Sequence, residues 1–335
     1  MKCNILCKFA EEKLHMEGTL TPDKIQKFSE LIAKAEKIAI VTHTRPDGDA
    51  IGSSIATACF IRERYGKEAG VVVADAYSDT LDFILDDTDR KYFFQHDTHP
   101  AEAERWIAES DLVICQDCNG FDRTDGLKDS LKASEAPKVL IDHHLNPQED
   151  SFVLCFSEVR ISSASELVYW ILMEMPDVDG CTSRIPMHAL CAIMAGMTTD
   201  MNNFANSVFP STLQMASELL ECGVDRDSIV QKIFNSYRVN RMQAISYLLS
   251  QRLVLKGGLA YIVIYKEDLE RFELEEGELE GLVNMPLTTA GIVMSITLKE
   301  DSDHFRVSIR SKKKNFYFLF SQSYIFAVNF YGIFI

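Results

Sequence analysis

The sequence has fewer basic than acidic residues. It contains 34 lysines and arginines but 50 aspartates and glutamates, which gives a net charge of −16. An acidic surface repels the phosphate backbone of long nucleic acids, whose binding needs several Lys or Arg contacts. The deficit argues against a protein that holds long nucleic acid on a basic face. A phosphorylated ligand should therefore be small, or should be met by metal ions.

The nine cysteines lack the spacing of a structural metal site. Cys115 and Cys118 form a C-x-x-C, but no second C-x-x-C or matching Cys/His pair follows nearby, which argues against zinc and against a redox pair. Most of the cysteines lie within apolar stretches, as expected for reduced, buried thiols. The N-terminus also lacks the apolar core and small-residue cleavage site of a signal peptide. We expect a cytoplasmic protein.

The length of 335 residues suits two domains, and 47% hydrophobic residues are enough to build their cores. Apolar runs bounded by turns alternate with helical patterns in the first two thirds of the chain. The strands predicted there are 37–43, 70–75, 112–117 and 138–144. This alternation predicts an α/β fold, with a mostly parallel sheet covered by helices on both faces. A smaller αβ unit follows.

We predict four regions along the chain. They are a first domain over 22–210, a helical linker over 211–251, a smaller and incomplete domain over 252–314, and an atypical tail over 315–335. The tail contains nine aromatic residues and no charge, and it is long enough to cross a bilayer. Because Ser321, Gln322, Ser323 and Asn329 interrupt it, we favour a segment outside the membrane, with a tail anchor as the alternative.

Four short stretches combine carboxylates and histidines, mostly where a predicted strand ends. They are VTHTRPDGDAIGSS with His43, Asp47 and Asp49, ICQDCN with Asp117, IDHHLNP with Asp142, His143 and His144, and MTTDMNNF with Asp200. In open α/β sheets, ligands bind beyond the carboxyl ends of the strands. We therefore expect these side chains to converge.

Carboxylate oxygens together with imidazole nitrogens suit Mn²⁺, Mg²⁺ or Co²⁺ better than metals that prefer thiolates. Two such ions about 3.5–4 Å apart can clamp the attacking and leaving oxygens of a phosphoryl displacement and generate hydroxide from water near neutral pH. Each stretch alone has a structural alternative, since Asp47-Gly48 is a common turn and an aspartate there often caps a helix. Four such stretches, most of them at strand ends of the same predicted sheet, together favour a metal site.

The four stretches resemble the signature motifs of the DHH phosphoesterase family. HxxPDxDAxGS occupies 43–53, the isolated aspartate is Asp117, DHH occupies 142–144, and Asp200 ends a helix. Within the family, the chain is most similar to small bacterial oligoribonucleases that also dephosphorylate 3′-phosphoadenosine 5′-phosphate (pAp). The resemblance covers roughly 22–210.

The resemblance implies a role for each matching residue. His43, Asp47 and Asp200 would hold one Mn²⁺, Asp49 and His143 would hold the other, and Asp117 would bridge the two ions. His144 would face the scissile phosphate, and Asp142 would orient the histidines, a common arrangement around metal ligands. Mg²⁺ or Co²⁺ could replace Mn²⁺.

The sequence departs from the family pattern in two places. After Asp200 the family usually continues with Thr-Gly, whereas this chain has Met201-Asn202. RVSIRS at 306–311 resembles the start of the family's substrate-binding segment, which implies that Arg310 and Ser311 contact substrate. The glycine-rich GGGH-type stretch that normally follows is missing, and the aromatic tail stands in its place.

We therefore expect a two-metal phosphoesterase that hydrolyses short RNA to nucleoside monophosphates and pAp to AMP. A linear or cyclic dinucleotide is the alternative substrate. An alternative of another class is a metal-binding protein that is catalytically disabled because its substrate-binding segment is cut short. We expect no long nucleic acid as partner. The sequence does not decide between a monomer and a homodimer.

Overall fold

The computed structural model describes residues 16, 18–275, 277–279, 281–301 and 304–312. These residues form two compact units, and the division falls between Ser236 and Tyr237, within the stretch that we predicted as a linker. The predicted tail at 315–335 lies outside the described residues. In the part of the chain that is described, no helix is both long and apolar enough to cross a membrane.

The first unit is built on a six-stranded parallel sheet with the order β3-β2-β1-β4-β5-β6. Its strands are β1 (Lys37–Val41), β2 (Glu68–Val73), β3 (Phe93–Gln95), β4 (Leu112–Gln116), β5 (Lys138–Asp142) and β6 (Leu154–Ser157). The predicted parallel sheet is confirmed. The two edge strands β3 and β6, with three and four residues, are also the shortest.

Helices connect these strands and cover both faces of the sheet. They are α1 (Pro22–Lys34), α2 (Gly48–Tyr65), α3 (Asp87–Lys91), α4 (Pro100–Ala108), α5 (Lys128–Ala133), α6 (Ala164–Glu174), α7 (Met187–Asp200), α8 (Pro210–Glu221) and α9 (Arg226–Phe234). Short 3₁₀ turns lie at Asp79–Ile84, Phe121–Arg123, Asp125–Leu127, Glu149–Ser151 and Thr182–Arg184. Helix α2 carries Asp49 in its first turn, and α7 ends at Asp200.

The central strand β1 shows why helices are needed on both faces. Successive strand residues point to opposite faces. Ile38 and Ile40 are buried in one hydrophobic cluster, whereas Ala39 and Val41 are buried in another. Both faces of β1 therefore lie inside a core, which is why its sequence is a continuous apolar run.

Helices α2 and α7 pack closely because glycines lie between them. A methyl group added at Gly52 would lie 2.6 Å from the carbonyl oxygen of Ala192 and 2.8 Å from the Cα of Gly196. One added at Gly196 would lie 2.1 Å from the Ser165 Oγ and 3.2 Å from Asp49 Oδ1. The glycines therefore allow two backbones to approach. This packing brings the first turn of α2, with Asp49, close to α7.

The second unit is a smaller mixed sheet with the order β10-β9-β8-β7. Its elements are α10 (Val239–Tyr247), a π-helical turn (Leu248–Arg252), β7 (Leu253–Lys256), β8 (Leu259–Ile264), α11 (Lys266–Arg271), a 3₁₀ segment (Leu282–Thr288), β9 (Met294–Glu300) and β10 (Phe305–Ser311). Only β8 and β9 are parallel. Ile245, Leu248, Ile262, Ile264 and Leu282 form its core.

Candidate metal centre

The candidate site lies at the carboxyl ends of β1, β4 and β5, which are neighbours in the sheet. From β1 the sheet extends through β2 in one direction and through β4 in the other, so the crevice between β1 and β4 is the topological switch point. His43 lies just beyond β1, and Asp117 directly follows β4. Asp142 ends β5, and His143 and His144 come next. The strand ends therefore bring the predicted residues together.

Asp117 lies between two histidines. Its Oδ2 is 3.4 Å from His43 Nε2, and its Oδ1 is 3.3 Å from His143 Nε2. The aspartate side chain is almost completely buried, and its backbone has a φ of 53°. A non-glycine residue in the left-handed region is strained, and such strain is found preferentially at functional sites. Asp117 thus connects the two halves of the site.

Potential metal-ligand atoms fall into three overlapping groups, and within each group all atoms lie within 4.8 Å of one another. The groups are His43, Asp47 and Asp117; Asp49, His143 and Asp200; and Asp117, His143 and His144. The first two contain all six predicted metal ligands. The geometry places Asp200 with Asp49 and His143, whereas the family resemblance assigned it to the ion held by His43 and Asp47.

Asp47 has a structural role as well as a place in the site. Its Oδ1 accepts hydrogen bonds from the backbone N–H groups of Asp49 and Ala50, at 3.0 and 3.1 Å, and so caps α2. The same oxygen lies 3.9 Å from His43 Nε2. The capping role that we considered as an alternative is therefore present, together with proximity to His43.

Hydrogen bonds define which histidine nitrogens are available. His43 Nδ1 lies 2.8 Å from the carbonyl oxygen of Thr44, which can only accept, so Nδ1 carries the proton. When the ring is neutral, as a metal ligand must be, the lone pair is therefore on Nε2, which faces Asp117. His144 Nδ1 lies 2.8 Å from Asp142 Oδ1, and the backbone N–H of His144 donates to Asp142 Oδ2. Asp142 thus orients His144 and leaves its Nε2 available.

The protein alone forms a strongly coupled charge cluster. Burial lowers the pKa of both His43 and His143, but the hydrogen bonds and negative charges of neighbouring aspartates outweigh it and raise both pKa values to about 10. Burial also acts on Asp117, but the two histidines hold its pKa well below the usual range. For Asp49 and Asp200, burial and nearby carboxylates raise the pKa, for Asp200 to about 6.

These residues fit a pair of divalent cations. Asp47, Asp49, Asp117 and Asp200 have only histidines as ion-pair partners among the described residues. Asp117 Oδ1 is buried without a well-formed hydrogen bond. Buried charges in proteins are normally paired or coordinate metals. Four carboxylates and imidazole nitrogens form a donor set suited to Mn²⁺, Mg²⁺ or Co²⁺.

We expect Mn²⁺ binding to release protons. Because neighbouring carboxylates raise the pKa of His43 and His143 to about 10, we expect both rings to be protonated at pH 7.5 in the protein without metal. Because only the neutral imidazole can ligate a metal, binding should release about two protons per chain. The apparent affinity should rise steadily as the pH increases toward 10. Calorimetric titrations in buffers with different ionisation enthalpies give the number of protons released.

The matched variant for this measurement is His43→Asn, which removes one of the two titrating rings. It should reduce the number of released protons by about one. Binding of Mn²⁺ to the wild-type chain with no proton release would show that the histidines are neutral before the metal arrives.

The structure also shows residues that the sequence analysis missed. Asp75 holds the loop after β1, because its carboxylate accepts from the Thr44 hydroxyl and from the Arg45 N–H. The backbone N–H groups of Ala164 and Ser165 donate to Asp49. A pair of serines at 162 and 163 is typical of the start of a helix, but nothing in the sequence indicates that this helix points at Asp49.

The predicted substrate residues lie in the second unit. Arg310 is exposed, and its Nη1 donates to the carbonyl oxygen of Ile309 at 3.0 Å. Ser311 pairs with Met294 at the end of β10. Their contact with substrate stays a prediction.

A further group with metal-compatible spacing lies elsewhere in the first unit and consists of Asp86, Asp89 and His188. His188 Nε2 lies 2.6 Å from Asp89 Oδ2, and Arg62 bonds the other oxygen of Asp89. The buried carboxylate is therefore already paired with the Arg62 guanidinium and the His188 ring. We interpret this group as a structural ion-pair network.

The chain is similar in sequence and in structure to known proteins, and the region that carries the candidate site matches a family model. Residues 37–197 match the DHH family, N-terminal domain. A solved structure of an exopolyphosphatase-related protein from Bacteroides fragilis is 35% identical, with a TM-score of 0.80, and the match covers 87% of this chain and 84% of that one. The bifunctional oligoribonuclease and PAP phosphatase NrnA of Bacillus subtilis is 26% identical over 288 residues, which are 84% of this chain and 83% of that protein.

The chain therefore belongs to the DHH family of phosphoesterases. Within that family it is a distant homologue of the NrnA oligoribonuclease/PAP phosphatases over most of its length. It is also similar to the cyclic-di-AMP phosphodiesterase GdpP of Geobacillus thermodenitrificans, with 25% identity over 279 residues. The matched residues make up 82% of this chain but only 40% of that protein.

Proposed function

We propose that this chain is a metal-dependent phosphodiesterase that hydrolyses RNA of about two to five nucleotides to nucleoside monophosphates, and pAp to AMP. The observation that carries the proposal is the placement of Asp117 between His43 and His143, with further carboxylates on both sides. Similarity to the NrnA protein of Bacillus subtilis over most of both chains supports this choice of substrates.

Six residues would hold two divalent cations: His43, Asp47, Asp49, Asp117, His143 and Asp200. When bound, such ions stabilise negative charge on the phosphoryl oxygens and lower the pKa of water. Mn²⁺ is the proposed ion, and Mg²⁺ and Co²⁺ suit the same donors.

The chain's own contribution to the reaction would come from His144 and Asp142. His144 is partly exposed, with 35% of its side chain accessible, while Asp142 is fully buried. Because Nδ1 of His144 is held by Asp142, its Nε2 is the nitrogen that can reach solvent or a phosphate oxygen. We assign His144 to binding of the scissile phosphate, and Asp142 to orienting His144.

The charge of the chain is consistent with a very short substrate. At a net charge of −16, a long RNA would be repelled. A dinucleotide or pAp carries few phosphates and needs few contacts beyond the cations. The second candidate is hydrolysis of a linear or cyclic dinucleotide, which the similarity to the GdpP protein favours.

The test is turnover of four substrates by the full chain in Mn²⁺: a labelled RNA dinucleotide, a labelled 24-nucleotide RNA, pAp and cyclic di-AMP. We expect the dinucleotide and pAp to be hydrolysed at least about tenfold faster than the 24-mer, because long RNA is repelled. Asp117→Ala serves as the inactive control.

Each other outcome selects a different function. Preferential turnover of cyclic di-AMP would favour the cyclic dinucleotide alternative. Absence of turnover on all four substrates, by a folded chain that binds two Mn²⁺, would contradict the proposal and favour the catalytically disabled protein.

A further inference from the structure

Asp49 is oriented by a part of the chain more than a hundred residues away. Its side chain is fully buried, and both of its oxygens accept backbone hydrogen bonds from the first turn of α6. Ala164 N donates to Oδ2 at 2.6 Å, and Ser165 N donates to Oδ1 at 2.9 Å. The direction in which Asp49 presents its remaining lone pairs to His143 therefore depends on the position of these two N–H groups.

Glu166 holds the segment that carries those N–H groups. Its side chain is fully buried, and its Oε2 accepts from the backbone N–H of Ser162 at 3.0 Å and from the Ser162 hydroxyl. Oε2 also accepts from the Thr212 hydroxyl of α8 at 2.7 Å, and Oε1 accepts from Trp170 Nε1 at 3.2 Å. Glu166 thus ties the residue immediately before the helix cap to the interior of the unit.

Helix capping alone does not explain this arrangement. Ser163 is the N-cap of α6, and its hydroxyl already accepts from the Glu166 N–H. The Glu166 side chain makes no ion pair within the residues that the structure describes, so its charge is balanced by hydrogen-bond donors only. Burying a carboxylate in this way is unfavourable unless every acceptor site is used. Glutamine would suit the site poorly, because its NH₂ group would face one of these donors.

We propose that Glu166 is a positioning residue for the metal centre. Its carboxylate fixes Ser162, the fixed segment places the N–H groups of Ala164 and Ser165, and these groups hold Asp49 in the orientation required of a metal ligand. The proposal rests on the proposed function, in which Asp49 ligates one of two Mn²⁺ ions.

The experiment compares Mn²⁺ binding by the wild-type chain and Glu166→Gln, using calorimetry and electron paramagnetic resonance to count sites. We expect the affinity of one site to fall about 10–100-fold, as is typical when a partner of a metal ligand is removed. The other site should change by less than about threefold. For the dinucleotide, kcat should recover at excess Mn²⁺ while KM stays unchanged.

The matched control is Tyr169→Phe, which lies in the same helix and is also buried. Its hydroxyl bonds Thr182 and Glu218, away from Asp49. This variant should lose stability but keep the Mn²⁺ affinity of both sites within about twofold. A purely structural role for Glu166 would make the two variants behave alike.

Ser162→Ala provides a second test of the proposal, which remains usable if Glu166→Gln does not fold. It removes one of the two Ser162 donors, and it should lower the affinity of the same site about threefold. Wild-type affinities in every folded variant of Glu166 or Ser162 would overturn the proposal. If the wild-type chain binds two Mn²⁺ but hydrolyses no nucleotide, the proposed function fails, whereas the affinity pattern still tests the role of Glu166.

Discussion

Replacement of Asp117 by asparagine is expected to lower kcat/KM for the RNA dinucleotide by a factor of about 10³ or more. Asp117 is the residue whose two oxygens reach two different histidines, at 3.4 and 3.3 Å. Asparagine preserves the shape but removes the charge, and it turns an NH₂ donor toward one half of the site. Because charge stabilisation by bound cations amounts to several kcal/mol, losing the proposed shared ligand of the two ions should cost at least about 4 kcal/mol in the transition state.

The measurement is steady-state hydrolysis over a range of Mn²⁺ concentrations, with circular dichroism to verify folding. Asp47→Asn should have a smaller effect, about tenfold, because Asp47 is 45% exposed and touches one half of the site only. Asp89→Asn is the control for buried aspartates in general, since its partners Arg62 and His188 lie outside the site. It should reduce stability but leave kcat/KM within about twofold.

A variant of Asp117 that keeps more than about a tenth of wild-type kcat/KM at saturating Mn²⁺ would contradict the shared-ligand role. Each ion would then have to be held without a shared ligand, one near His43 and the other near His143.

The parallel sheet and most of the site could be predicted because both depend on local patterns. The runs IAIV at 38–41 and VLI at 139–141 are apolar, as central parallel strands are, and a histidine or an aspartate follows each within two residues. Parallel strands end at the same edge, so residues that follow them must meet. By contrast, the short strands β3 and β6 have only three and four residues. That is too few to show a distinct hydrophobic periodicity, so these strands could not be predicted.

The contacts that orient the site could not be predicted, because they join segments distant in sequence through backbone groups. Asp49 is held by Ala164 and Ser165, and alanine has no side chain that could indicate such a role. Glu166 lies in a helix whose pattern is mostly apolar, and a single glutamate there reads as a surface residue until its burial is known. The grouping of Asp200 with Asp49 and His143 likewise depends on how closely α2 and α7 pack.

Mn²⁺ is expected to reverse the order of stability between the wild-type chain and Asp200→Asn. Without metal, burial and the charges of Asp47 and Asp117 raise the pKa of Asp200 to about 6, above its value in an unfolded chain. A raised pKa means that the folded state binds the proton more tightly. The contribution of this group to stability is therefore fully present below about pH 4 and is lost as the pH rises through about 6.

At pH 7.5 the ionised Asp200 should thus destabilise the metal-free protein, and Asp200→Asn should be more stable than wild type by about 1 kcal/mol. At pH 4 the difference should largely disappear. With Mn²⁺ at about 1,000 times its Kd, the wild-type chain should gain about 4 kcal/mol, because the ion binds the folded state only. The variant lacks one ligand and should gain less, so that it becomes the less stable of the two.

Urea unfolding followed by tryptophan fluorescence measures this directly, because Trp106 and Trp170, the two tryptophans of the chain, both lie in the first unit. Leu213→Ala, an exposed position on α8, provides a control that should respond to Mn²⁺ as the wild-type chain does. If Asp200→Asn gained as much stability from Mn²⁺ as the wild-type chain, Asp200 would not be a ligand. If the variant were also no more stable without metal, the carboxylates would not repel one another. A reversal of order would mean that the chain gives up metal-free stability to keep Asp200 charged at the metal centre.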